Sequence, residues 1–91
     1  METNNNIYNL RSDQAILDSV DDQLRKNHPH ETRETYERLL SHGYSDKDAR
    51  QLIGSAVANE SFMILAHQEF FDLARYVATL RNLPRLPYRY T

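Results

Sequence analysis

The apolar residues between positions 46 and 67 recur at a spacing that fits a helix far better than a strand. They fall three or four residues apart over about four turns, and no proline interrupts them. Because a helix repeats every 3.6 residues, this spacing places them on one face that can be buried in a core. We therefore predict a long helix over about Asp46–His67. Its apolar stripe comprises Ala49, Leu52, Ile53, Ala56, Val57, Met63 and Ile64.

A carboxylate, Glu60, occupies one step of this apolar stripe. A carboxylate among hydrocarbon side chains loses its hydration, so it must be paired, hydrogen-bonded or protonated. The pattern favours a structural role, with Glu60 accepting a hydrogen bond from a facing helix; the candidate donors are Tyr36, Tyr76 and Arg38. A catalytic role remains the alternative. It would need His67, which lies on the same face but about 10 Å further along the axis.

Helix-breaking residues divide the rest of the chain. Pro29 suits the first turn of a helix, Gly43 suits a left-handed helix end, and Pro84 stops a helix. Ser12, Ser45 and Asp72 are candidate N-caps, because their side-chain oxygens can accept hydrogen bonds from free amides. The resulting predicted helices are about Asp13–Lys26, Pro29–His42 and Leu73–Asn82, in addition to the long one.

These segments predict an all-α fold, a small compact four-helix bundle with short connections and the long helix at its centre. We expect residues 1–10 to form a flexible N-terminal arm and residues 11–83 the helical domain. Residues 84–91 should form an extended tail, with Leu83 and Leu86 packing back on the domain. The two glycines and three prolines in 91 residues leave long stretches free to form helices.

Composition narrows the class of protein. Apolar residues make up 40% and charged residues 26%, which is typical of a folded globular chain. Cysteine is absent, so disulfides and thiolate metal sites are excluded. The N-terminus lacks a basic start followed by an apolar run, and no apolar stretch could span a membrane. We therefore expect a cytoplasmic protein.

The leading functional hypothesis is a non-enzymatic protein–protein interaction or self-association module. A chain of this length has a thin core, and dimerisation is a common remedy. Four apolar residues near the end of the long helix fall outside the predicted stripes, and we expect them to form an exposed interface patch, which suggests a homodimer. They are Phe62, Leu65, Phe70 and Phe71.

Two other functions stay open. A nucleic-acid accessory protein could use the C-terminal residues Arg81, Arg85, Tyr88, Arg89 and Tyr90, because stacked aromatics with arginines hold single strands. The net charge of this chain is −2, which does not favour a polyanionic partner such as a nucleic acid.

The other alternative is a metal- or carboxylate-dependent enzyme centred on Glu60. His28 and His30 flank Pro29, but no metal-binding motif accompanies them. We predict no metal, no cofactor and no small-molecule substrate.

The stretch from Gln23 to Pro87 resembles a helical segment found in small bacterial proteins. The resemblance rests on "HPHETRETYERLLSHGYSDKDARQLI", "NES" and "FDLARYVATLRNLPRLP". It is similar to the domain-of-unknown-function 1841 family and to tails beside zinc-binding SEC-C motifs. The family has no assigned activity, but the resemblance implies that Glu60 belongs to the pattern of the fold. Histidines of that family fall at positions occupied here by Leu17, Asp48 and Leu52, so the resemblance implies no metal site in this chain.

Overall fold

The computed structural model describes the backbone of residues 2–87 and the side chains of residues 13–87. The described backbone forms four helices and no strand, which confirms the all-α bundle predicted from the sequence. Three connections of three to five residues join them. The helices are α1 (Glu2–Lys26), α2 (His30–Ser41), α3 (Asp46–His67) and α4 (Leu73–Asn82).

The predicted start of the first helix at Asp13 is wrong, because α1 begins at Glu2. Ser12 is therefore not an N-cap, and the backbone of residues 2–10, expected to be a loose arm, is helical. The physical reason is that residues 2–26 contain neither proline nor glycine. Asparagine lowers helix propensity by less than 1 kcal/mol per residue, which does not stop a helix.

The caps of the later helices agree closely with the sequence. The Ser45 hydroxyl accepts a hydrogen bond from the Asp48 amide at 3.0 Å, and the Asp72 carboxylate accepts one from the Arg75 amide at 3.1 Å. Gly43 has a φ of +99°, a left-handed conformation that favours glycine. α2 begins one residue later than predicted, at His30, so Pro29 is the N-cap residue of α2 rather than its first residue.

α3 is the centre of the bundle, because it packs against α1, α2 and α4. α1 approaches it closely at Gly54, where an added Cβ would lie 3.2 Å from Ile16 Cγ2. The buried core draws side chains from all four helices and from the residue after α4; it comprises Val20, Leu24, Leu39, Ala49, Ile53, Ala56, Tyr76, Leu80 and Leu83.

The C-terminal end of α4 is fastened to α2. The Arg38 guanidinium donates to the carbonyl oxygens of Leu80 (3.0 Å) in the last turn of α4 and of Leu83 (2.9 Å) just after it. Carbonyls at a helix end lack the full set of intrahelical partners, so these bonds help to satisfy them. Leu83 is buried as predicted, but Leu86 is 42% exposed, so only the first of these leucines packs back. Leu40 and Leu73 are also exposed, at 38% and 48%. Residues 88–91 of the predicted tail lie outside the described residues.

Candidate functional site

Glu60 is buried, as its place in the apolar stripe predicts, and its side chain points from α3 toward the start of α4. The Arg75 guanidinium donates from Nε to Glu60 Oε1 at 2.9 Å and from Nη2 to Oε2 at 2.8 Å. The Asp72 amide donates to the same Oε2 at 3.0 Å. Both oxygens of this carboxylate are therefore hydrogen-bonded, which is the arrangement that makes a buried charge tolerable.

The donor that binds Glu60 is not one of those expected from the sequence. The Tyr36 hydroxyl donates to Asp46 at 2.6 Å, the Tyr76 hydroxyl donates to Gln23 at 2.8 Å, and Arg38 binds the end of α4. The residue that sequence reasoning missed is Arg75, which precedes Tyr76. Arg75 lies three residues after the N-cap Asp72, and the path of the link, which spacing does not determine, brings it to Glu60.

Charge and hydrogen bonding shift the acid–base equilibrium of this pair. The hydrogen bonds from the Arg75 guanidinium hold the pKa of the Glu60 carboxyl below its usual range, against the opposing effect of burial. The same bonds, with a further one from Arg75 Nη1 to Glu69 at 2.6 Å, raise the pKa of Arg75. Glu60 is therefore ionised at neutral pH, and it joins α3, the following link and α4.

A second polar cluster lies where α1, α2 and α4 meet. Gln23 Oε1 accepts hydrogen bonds from the Thr32 hydroxyl at 2.7 Å and from the Tyr76 hydroxyl at 2.8 Å. Burial raises the pKa of the Tyr76 hydroxyl, which favours its neutral form as a donor. The cluster satisfies the polar ends of two otherwise buried side chains, so we assign it a structural role.

The described residues do not support the arrangement that a Glu60–His67 catalytic pair would need. Glu60 is directed at Arg75 and Asp72, whereas the His67 ring packs edge-on against Phe62, with ring centroids 6.3 Å apart. Among residues 13–87, no group of three or more histidine, aspartate or glutamate side chains is arranged to hold a metal ion.

Large apolar side chains are exposed at one end of the bundle. Seven are exposed among the described residues, and five of these fall within residues 62–73, where α3 ends and α4 begins. Leu65 is 81% exposed and Phe70 is 93% exposed. We call this group the aromatic end; it comprises Phe62, Leu65, Phe70, Phe71 and Leu73. All four residues predicted to form an interface are exposed, and Leu73 joins them.

The residues of the nucleic-acid alternative are only partly described. Arg81 and Arg85 are exposed near the end of α4. Tyr88, Arg89 and Tyr90, which would supply the stacking surfaces, lie outside the described residues. Among the helices that are described, none combines the length and the apolar content needed to cross a membrane.

Comparison with protein-family models, with curated proteins and with solved structures finds no match for this chain. The resemblance to the domain-of-unknown-function 1841 family stays a prediction from the sequence. The functional proposal therefore rests on the geometry of the chain itself.

Proposed function

We propose that this chain is a non-enzymatic protein interaction module, located in the cytoplasm, that forms a homodimer through its aromatic end. The observation that carries the proposal is the exposure of Phe70 (93%) and Leu65 (81%), the two most exposed large apolar side chains among the described residues. Exposing such side chains to water is unfavourable, and large exposed apolar patches on soluble proteins mark interaction sites.

The amount of exposed apolar surface is in the range that a dimer requires. If a fully exposed large apolar side chain presents about 200 Å², the aromatic end presents about 680 Å² in total. The largest apolar patch of a typical monomer is about 300–600 Å², and a standard interface buries about 800 Å² per partner. Two copies that covered these side chains would therefore approach a standard interface before any polar rim is counted.

Charge at the aromatic end is only partly compensated. Glu69 precedes Phe70 and is paired with Arg75, which also pairs with Glu60. Asp72 caps α4 through the Arg75 amide, a hydrogen bond that leaves its negative charge in place. Three carboxylates therefore share one guanidinium, and contact between two copies works against a residual like charge that salt screens.

The hydrogen bonds that Glu60 accepts from Arg75 and from the Asp72 amide support the proposal, because they hold the link between α3 and α4 in place. The link carries Phe70 and Phe71, and the Asp72 amide at its end is bound to Glu60. The Phe71 ring also packs on the buried Tyr76 ring, with centroids 5.9 Å apart. A surface fixed in this way loses less conformational entropy on binding than a free loop would.

Sedimentation velocity over a concentration series tests the proposal. We expect the native chain to sediment with twice its 10.7 kDa mass. The Leu65→Glu substitution should weaken the dimer at least about 30-fold, because truncating or charging a central apolar anchor costs 2 kcal/mol or more. Circular dichroism should remain helical, since Leu65 contributes little to the monomer core.

A matched control is Leu86→Glu. Leu86 is also an exposed leucine, but it lies beside Leu52 near the other end of α3. Leu52 and Leu65 are 13 residues apart on α3, which corresponds to about 20 Å. A native chain that stays monomeric at every concentration would refute the proposal, and so would equal weakening by both substitutions.

A further inference from the structure

The chain folds back toward α3 after α4 ends. A turn follows α4, in which the Arg85 amide donates to the Asn82 carbonyl oxygen at 2.9 Å. Leu86 then lies beside α3, where it lines a shallow pocket together with Leu52. Pro87, the last described residue, is half-buried. The described chain therefore ends close to the outer face of α3.

A shallow groove of about 360 Å³ lies between α3 and α1. One wall is apolar, because it is formed by Ile16 and Leu17 of α1, and both of these side chains are only half-buried. On the α3 side the groove is lined by Gly54, where an added Cβ would lie 3.2 Å from Ile16 Cγ2. The close approach of the two helices fixes the wall, and a further apolar group placed there would gain dispersion contacts.

The pocket beside Leu86 and the groove beside α1 are adjacent. They share two lining residues, Gln51 and Ser55, which lie on α3 between them. A helix with its side chains is about 10 Å across. A segment that continues from Leu86 over these two residues therefore reaches the groove after crossing a single helix.

The residues that follow Pro87 have the pattern needed to make this crossing. Leu86, Tyr88 and Tyr90 alternate with Pro87 and Arg89, so an extended chain places the three large side chains on one face. Leu86 precedes a proline, which favours the extended conformation. At about 3.3 Å per residue, Tyr88 comes about 7 Å and Tyr90 about 13 Å beyond Leu86. The second distance is enough to cross α3.

The lining of the groove suits a tyrosine better than a purely apolar side chain. Besides its apolar wall, it includes the polar side chains of Gln51, Ser55 and Asp13. A tyrosine has an apolar ring and a hydroxyl that needs a hydrogen-bond partner when the ring is covered. The ring can pack on Ile16 while the hydroxyl donates to a polar group at the rim.

Charge also favours this occupant. Of the described residues that line the pocket and the groove, two are acidic, Asp13 and Asp48, and none is a lysine or an arginine. The chain after Asp72 contains no acidic residue, and its last seven residues include Arg85 and Arg89. Salt screens these exposed charges, so they favour the approach of the segment rather than fix its position.

We propose that residues 88–91, which lie outside the described residues, form a C-terminal strap across α3. Tyr88 packs over Gln51 and Ser55, and Tyr90 enters the groove against Ile16 and Leu17. The strap joins the end of α4 to α1. Because the segment is tethered at Pro87, its tyrosines have a high effective concentration at the groove. The inference does not depend on the proposed homodimer, since no residue of the aromatic end lines the groove.

Nuclear magnetic resonance of the full chain tests the strap, because a 10.7 kDa protein gives resolved side-chain signals. We expect nuclear Overhauser contacts between the ring protons of Tyr90 and the methyl groups of Ile16 or Leu17. The Tyr90→Ser substitution should abolish these contacts, which also establishes which of the six tyrosines gives them.

A matched pair of substitutions tests whether the groove holds the ring. Leu17→Glu places a charge in the apolar wall and should abolish the contacts between Tyr90 and Ile16. Leu40→Glu is the control, because Leu40 is also a partly exposed leucine, at 38%, but lies on α2 and does not line the groove. It should leave the contacts unchanged. Loss of the contacts in both variants would overturn the assignment to the groove.

A mixture of isotope-labelled and unlabelled chains distinguishes the possible occupants. Contacts confined to single chains support the strap, whereas contacts between labelled and unlabelled chains would show that the segment of a second copy fills the groove, which overturns it. A Tyr90 ring with no contact to Ile16 or Leu17 also overturns it. A monomeric chain with the contacts refutes the proposed homodimer alone, and a homodimer without them refutes the strap alone.

Discussion

Replacing Tyr76 with alanine is expected to lower the free energy of unfolding by about 4 kcal/mol. Tyr76 is 2% exposed and is the largest fully buried side chain among the described residues. The change removes a ring from the core and leaves Gln23 Oε1 with the Thr32 hydroxyl as its remaining donor. A domain of this size is stable by about 5–13 kcal/mol, so urea unfolding should show a large fall in the midpoint.

Two further variants separate the ring from its hydroxyl. Tyr76→Phe keeps the ring and should cost about 1 kcal/mol, the net contribution of one hydrogen bond. Tyr36→Phe removes a hydroxyl that binds the exposed Asp46 carboxylate, so we expect little change in stability. If Tyr76→Ala were no more destabilising than Tyr76→Phe, the ring would not be part of the core.

Replacing Arg75 with methionine is expected to lower the melting temperature by about 10 °C. The substitution keeps much of the side-chain length but leaves the Glu60 carboxylate buried without the guanidinium that binds both of its oxygens. An unpaired buried carboxylate is costly, and the chain will relieve the cost by protonating Glu60 or by opening the link to α4. Thermal unfolding followed by circular dichroism measures the effect.

The control for this substitution is Arg50→Met. Arg50 also binds two carboxylates, those of Asp46 and Asp21, but both are well exposed and regain hydration when the arginine is removed. We expect a change of less than about 3 °C. Equal effects at the two positions would mean that burial of Glu60 does not determine the cost.

The Glu60–Arg75 pair also predicts how stability depends on pH. The pKa of Glu60 is lower in the folded chain than its value of about 4.3 in an unfolded chain. Its stabilising contribution is therefore fully present above that unfolded value, and it is lost as the pH falls through the lower folded value. Between pH 5 and pH 2.5, the free energy of unfolding measured with urea should fall more steeply for the native chain than for the Glu60→Gln variant. Parallel curves would contradict the assigned pKa direction.

The positions of α2, α3 and α4 follow from local rules that the sequence contains. Apolar spacing, the Ser45 and Asp72 caps and the glycine at position 43 act over a few residues, and the helices end within about one residue of the predicted positions. The start of α1 fails because no local signal forbids a helix in the Asn-rich segment. The low helix propensity of asparagine does not by itself set the start of a helix.

The partner of Glu60 could not be chosen from spacing alone. Periodicity places Glu60 on the buried face of α3, but several polar side chains lie on facing helices at similar positions. The choice depends on how the link of residues 68–72 turns and on the crossing of α4 over α3, which brings Arg75 to the carboxylate. Arg38, the sequence candidate, is directed instead at the carbonyls that end α4.

The sequence by itself determined that this chain forms helices, that α3 is central and that a carboxylate is buried within it, because those properties depend on the order of residues along one helix. It also identified four apolar residues that no predicted stripe absorbs. Only the tertiary structure decided which group binds Glu60, that Leu73 and Leu86 are exposed, and that α1 and α3 enclose a shallow groove. Those outcomes depend on the relative placement of helices, which arises from the packing of all of them at once.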